Sequence, residues 1–60
     1  MSRIDEIRKC RYEIGCYEFM LTNEEIRQDA EMVEIISGFI NHYKERLEQI
    51  GKEIKLEIAR

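Results

Sequence analysis

The side chains of this sequence best suited to bind a transition metal are two cysteines and one histidine, Cys10, Cys16 and His42. Zinc sites take paired ligands two to four residues apart, and these three residues lack that spacing. On one helix, Cys10 and Cys16 would lie about 9 Å apart along the axis and on nearly opposite faces, which excludes a disulfide between them. The sequence therefore predicts no metal, no cofactor and two free thiols, as is typical of a reducing, cytoplasmic compartment.

The sequence also lacks the patterns on which catalysis usually depends. It contains no glycine-rich phosphate loop and no recognisable arrangement of a nucleophile beside a base. Four acidic residues, Glu24, Glu25, Glu31 and Glu34, could bind a cation or a basic partner, but they suit a solvated helix face better. We therefore predict no catalytic residue and a non-enzymatic protein.

Composition limits both the size and the partners of the protein. Sixty residues form at most one small domain, whose core usually needs a disulfide, a metal or a second chain. A net charge of −3 argues against a nucleic-acid binder, so docking of nucleic acid on Arg3, Arg8, Lys9 and Arg11 is the least favoured hypothesis. We expect no membrane span and no signal peptide. The Ile, Glu and Lys content suggests a bacterium or phage.

The absence of proline and the spacing of apolar residues predict an all-α protein with two helices. Helix 1 covers about residues 3–20, with Ser2 as its N-cap. The turn covers residues 21–23, where Thr22 and Glu25 match a capping box with Thr22 as the N-cap. Helix 2 covers about residues 23–59, so residues 1–60 are predicted to form one antiparallel helical hairpin with a short and a long helix.

Pairing Leu21 with Ile26 across a tight turn sets the predicted register of this hairpin. In that register Ile4 reaches Tyr43, and about 16 residues of helix 2 continue beyond the end of helix 1. Because this overhang is apolar on one side, we expect a second copy to cover it, giving a homodimeric helical bundle with coiled-coil packing. The predicted dimer interface follows heptad spacing and consists of Val33, Ile36, Ile40, Tyr43, Leu47, Ile50 and Ile54.

The direction of pairing in this dimer depends on charge. Residues 22–34 carry one basic and five acidic side chains (1 − 5 = −4), and residues 44–60 carry five basic and four acidic ones (5 − 4 = +1). These values favour an antiparallel pair, although a parallel pair stays open. Asp29 would then point into the seam and need a cation such as Lys52 of the second chain.

Helix 1 carries a further apolar face, opposite the hairpin seam, formed by Tyr12, Cys16, Phe19 and Met20. A helix that is apolar on two sides is either enclosed in a larger assembly or offers a docking surface. Three interpretations stay open: docking of another protein, assembly of dimers into a tetramer, and simple exposure. The first is favoured and predicts a dimeric regulator, adaptor or inhibitor that binds another protein.

An alternative function comes from a family resemblance in the order of features. The turn reads Leu21-Thr22-Asn23-Glu24-Glu25 and the middle of helix 2 reads Phe39-Ile40-Asn41-His42-Tyr43. Both stretches resemble the small sporulation aspartyl-phosphate phosphatases of bacilli, which are helical hairpins acting on a response regulator. The resemblance covers about two-thirds of the chain and implies a regulatory phosphatase. The Ser-Gln-Glu-Leu-Asp run of that family has no counterpart here, where the sequence reads Val33-Glu34-Ile35-Ile36-Ser37.

Overall fold

The computed structural model describes residues 2–59, which contain three helices and no strand. Helix α1 is Arg3–Met20, the single turn α2 is Glu24–Arg27, and the long helix α3 is Ala30–Ile58. The prediction of an all-α chain with a shorter helix packed against a longer one is confirmed. No helix within this described part is both long enough and apolar enough to cross a membrane.

The second predicted helix is divided in two, because Asp29 begins a new helix. Its backbone is extended (φ −98°, ψ 99°), and its carboxylate accepts hydrogen bonds from the backbone N–H groups of Glu31 and Met32 at 3.1 and 3.2 Å. Aspartate is among the best N-cap residues, since its short side chain reaches these otherwise unpaired donors. The expectation that Asp29 points into a dimer seam is therefore wrong.

The turn after α1 also differs from the predicted capping box. Asn23, not Thr22, is the N-cap of α2, and its side chain accepts a hydrogen bond from the backbone N–H of Glu25 at 2.9 Å. The Thr22 hydroxyl instead donates to the carbonyl oxygen of Phe19 at 2.6 Å, at the end of α1. Asparagine exceeds threonine as an N-cap, which explains the difference.

These two caps lengthen the connection and shift the register of the hairpin. Two ion pairs between α1 and α3 show the shift. Arg3 of α1 makes a bidentate ion pair with Glu57 at 2.5 Å, and Glu6 of α1 accepts a hydrogen bond from Arg46 at 2.5 Å. In the predicted register Glu6 would meet residue 41 and Arg3 would meet residue 44, so their observed partners lie about 7.5 and 20 Å further along α3. The predicted overhang at the carboxyl end of α3 is shorter than expected, because Ile50 is buried and Glu57 reaches α1, while Leu56 and Ile58 stay exposed.

The core lies between α1 and α3. One cluster is formed by Ile14, Ile36 and Ile40, with Tyr17 and Tyr43 among the half-buried residues packed against it. Cys10 is 3% exposed and Ile50 is 1% exposed, so both are also buried. The ring of Tyr17 stacks on Phe39 and Tyr43, with centroids 5.3 and 6.3 Å apart. The α1-facing stripe of α3 is thus used within a single chain.

A candidate protein-interaction surface on α1

The side of α1 that faces away from α3 carries a shallow apolar groove of about 520 Å³. At 100° per residue, its central positions lie roughly opposite Cys10 and Ile14, the two buried residues of the helix. The groove, hereafter the α1 groove, is lined by Arg11, Tyr12, Gly15, Cys16, Phe19 and Met20. All four residues predicted from the sequence to bind a partner line it.

Two aromatic side chains form the walls of the α1 groove. Tyr12 is 70% exposed and Phe19 is 77% exposed. They are seven residues apart, which is two helical turns, so they lie on the same side of α1. Between them Gly15 adds no side chain, and a Cβ built at this position meets nothing within 4 Å. The result is a gap between two aromatic rings that no other part of residues 2–59 fills.

The remaining residues of the groove differ in exposure. Cys16 is an exposed free thiol. Met20 is half-buried, because it also packs against the core cluster of Ile14, Ile36 and Ile40. Met20 therefore links the groove to the core, and its replacement would disturb both.

Arg11 is the one charged residue that lines the groove, and further charged residues lie beyond its two ends. The Cys16 side chain raises the pKa of the Tyr12 hydroxyl above its usual value, in the direction that favours the neutral phenol. Arg8 and Lys9 lie about one turn before Tyr12, and neither takes part in an ion pair within the described residues. Past Phe19, the chain reaches the acidic first turn of α2, with Glu24 and Glu25 exposed.

The seven residues predicted to form the dimer interface lie elsewhere, on the side of α3 that meets α1. Ile36, Ile40 and Ile50 are buried within the single chain, and Ile36 is 2% exposed. The other four, Val33, Tyr43, Leu47 and Ile54, are half-buried. Contact of this stripe with a second chain stays a prediction, and the buried members offer no free surface for it.

The sequence interpretation missed one feature of the docking face on α1. It did not include Gly15 and Arg11, although the gap at Gly15 gives the groove its shape. A second apolar stripe lies on α3 and is formed by the partly exposed Met32, Ile35 and Phe39. The spacing of three and four residues between them is that of one helix face.

The candidate metal ligands do not come together. Cys10 is buried and Cys16 is exposed, while the ring of His42 lies edge-on to Tyr43 with centroids 5.3 Å apart. Between Ser2 and Ala59, no group of three or more His, Cys, Asp or Glu side chains is placed to hold a metal ion.

In comparisons with known proteins, no protein-family model, no curated protein and no solved structure matches this sequence significantly.

Proposed function

We propose that this chain is a small, non-enzymatic protein-interaction module, a regulator or adaptor that binds protein through the α1 groove. The observation that carries this proposal is the exposure of Tyr12 and Phe19 on either side of a gap that the chain itself leaves open. Large aromatic side chains are the usual anchors of protein interfaces.

The energetics of the groove support binding of an apolar surface. Burying an aromatic side chain of this size stabilises a complex by roughly 1.5–3 kcal/mol relative to leaving it in water. Met20 adds an adaptable thioether surface at the edge of the groove. A neutral phenol at Tyr12 avoids the cost of removing a charge from water.

The charge and thiol chemistry support the same proposal. A net charge of −3 suits a protein partner better than a nucleic acid. Both cysteines are free thiols, which supports our further proposal of a reducing, cytoplasmic setting.

The test compares two double variants of the affinity-tagged chain. Tyr12→Ser with Phe19→Ser removes both walls of the groove and leaves Met20 and the core in place. The matched control is Leu56→Ser with Ile58→Ser, which also removes two exposed apolar side chains, 68% and 80% exposed, from the far end of α3. We expect a protein captured by the wild type, identified by mass spectrometry, to be retained by the control and lost from the groove variant.

Circular dichroism of both variants is the fold control, and we expect helical spectra like that of the wild type because all four positions are exposed. Equal capture by the wild type, the control and the groove variant would show that the α1 groove is not the binding surface.

A further inference from the structure

We propose that the α1 groove binds a second copy of this chain, with the two α1 helices antiparallel and crossing between Gly15 and Cys16. The inference deepens the proposed function, since it concerns the same groove and names its partner. It differs from the coiled-coil dimer expected from the sequence, whose central residues are buried inside the chain.

The first argument is that the groove is self-complementary. In an antiparallel pair of helices with this crossing point, residue n of one copy lies opposite residue 31 − n of the other. Tyr12 then faces Phe19 of the second copy, and Arg11 faces Met20. The six lining residues are therefore related in pairs by one two-fold axis, as an isologous interface requires.

The second argument is that the crossing point is open. Gly15 has no side chain, and a Cβ there would meet nothing within 4 Å, so the backbone is accessible to another helix. Cys16, across the axis, carries a small side chain. Interaxial distances between helices depend on the side chains at the contact, so small residues at the centre let the aromatic rings on both sides interdigitate.

The third argument is charge complementarity at the ends of the groove. Arg8 and Lys9 lie about 11 Å from the crossing point on one side. On the other side the chain enters the turn and then the acidic residues Glu24 and Glu25. Antiparallel docking brings the basic end of one copy beside the acidic end of the other, twice in each dimer. Parallel docking would place Arg8 and Lys9 beside their own copies, which is unfavourable.

The fourth argument is the small size of the core. Five apolar side chains are buried within the described chain: Cys10, Ile14, Ile36, Ile40 and Ile50. Chains of this length usually need support beyond a single core, and no disulfide supplies it here. A second copy on the α1 groove would bury Tyr12 and Phe19 of both chains and so add to the stability of the fold.

The test is a charge exchange in the full chain, measured by sedimentation equilibrium. One variant carries Arg8→Glu and Lys9→Glu, and the other carries Glu24→Lys and Glu25→Lys. Each variant alone brings like charges together at both ends, so we expect its dimer to dissociate about tenfold or more readily than that of the wild type. In an equimolar mixture every such contact pairs opposite charges, and we expect a dimer containing one chain of each variant.

A second measurement removes one wall of the groove. Phe19→Ser changes both symmetric halves of the interface, so we expect the dissociation constant of the dimer to rise by about thirtyfold or more. The matched control Ile58→Ser removes an equally exposed side chain outside the groove and leaves self-association unchanged.

A wild-type chain that stays monomeric at about 1 mM, a range that detects even weak association, overturns this inference. The inference is also overturned if neither Phe19→Ser nor the charge exchange alters self-association, because the copies then meet on another surface. The proposed function survives either result if the groove double variant still loses a captured protein that the control retains, and it fails separately if capture is unchanged.

Discussion

Ile50 tests the register of the hairpin, because it is buried only if α1 runs alongside the carboxyl end of α3. It is 1% exposed and lies on α3 between Arg46 and Glu57, the two residues whose ion pairs reach α1. In the tight-turn register predicted from the sequence, a single chain would leave Ile50 in water. We expect Ile50→Ala to lower the free energy of unfolding by about 2–5 kcal/mol, the usual cost of truncating a buried isoleucine.

This loss is large for so small a protein, since sixty residues at ~0.05–0.15 kcal/mol each give a total stability of roughly 3–9 kcal/mol. The assay is urea unfolding followed by circular dichroism at several protein concentrations, because self-association would add to the apparent stability. With an m value of about 1 kcal/mol/M, the midpoint should fall by about 2 M or more. The control is Ile58→Ala, a change of the same size at a residue that is 80% exposed. Equal midpoints for the two variants in dilute solution would refute the register.

Three further outcomes are expected. The hydrogen bond from Arg46 lowers the pKa of Glu6. The ion pair therefore stabilises the fold fully above pH 4.5, and this stabilisation is lost as the pH falls through the pKa of Glu6 in the folded protein. Glu6→Gln should therefore reduce the loss of stability between pH 7 and pH 3, and an unchanged pH profile would argue against the pair. Asp29→Ala removes an N-cap and should lower the free energy of unfolding, measured in urea, by about 0.5–2 kcal/mol. Thr22→Ala should lower it less, and the reverse order would favour Thr22 as the N-cap, as the capping box predicts. In dilute native protein a thiol reagent should label Cys16 quickly and Cys10 only after denaturant is added, whereas equally fast labelling of both would show that Cys10 is not buried.

The sequence was sufficient to predict an all-α chain, the bounds of α1 and the outer side of α1. Apolar spacing placed Tyr12 and Phe19 on the outer side of α1, and both are largely exposed, whereas Cys10 and Ile14 are buried on the opposite side. Periodicity works here because the sequence contains no proline and only three glycines, so little interrupts the helical pattern.

The register could not be predicted because it depends on short-range choices among similar capping residues. Thr22, Asn23 and Asp29 are all acceptable N-caps, and the sequence pattern of a capping box favoured the first. The structure uses the other two, which adds a helical turn and a second break to the connection. Each N-cap contributes about 1 kcal/mol to stability, yet the choice of caps decides which residues of α3 meet α1.

The register in turn decides which apolar surface is left for other molecules. Had α1 ended near Tyr43, the free surface would have been the tail of α3, and Ile50 would have been part of it. Because α1 reaches Glu57, Ile50 is enclosed and only dispersed residues such as Ile58 stay exposed there. A groove with two largely exposed aromatic side chains lies instead on the outer side of α1, where Tyr12 and Phe19 flank Gly15. The burial of Ile36, Ile40 and Ile50 inside one chain therefore makes the α1 groove the stronger candidate for contact with another chain.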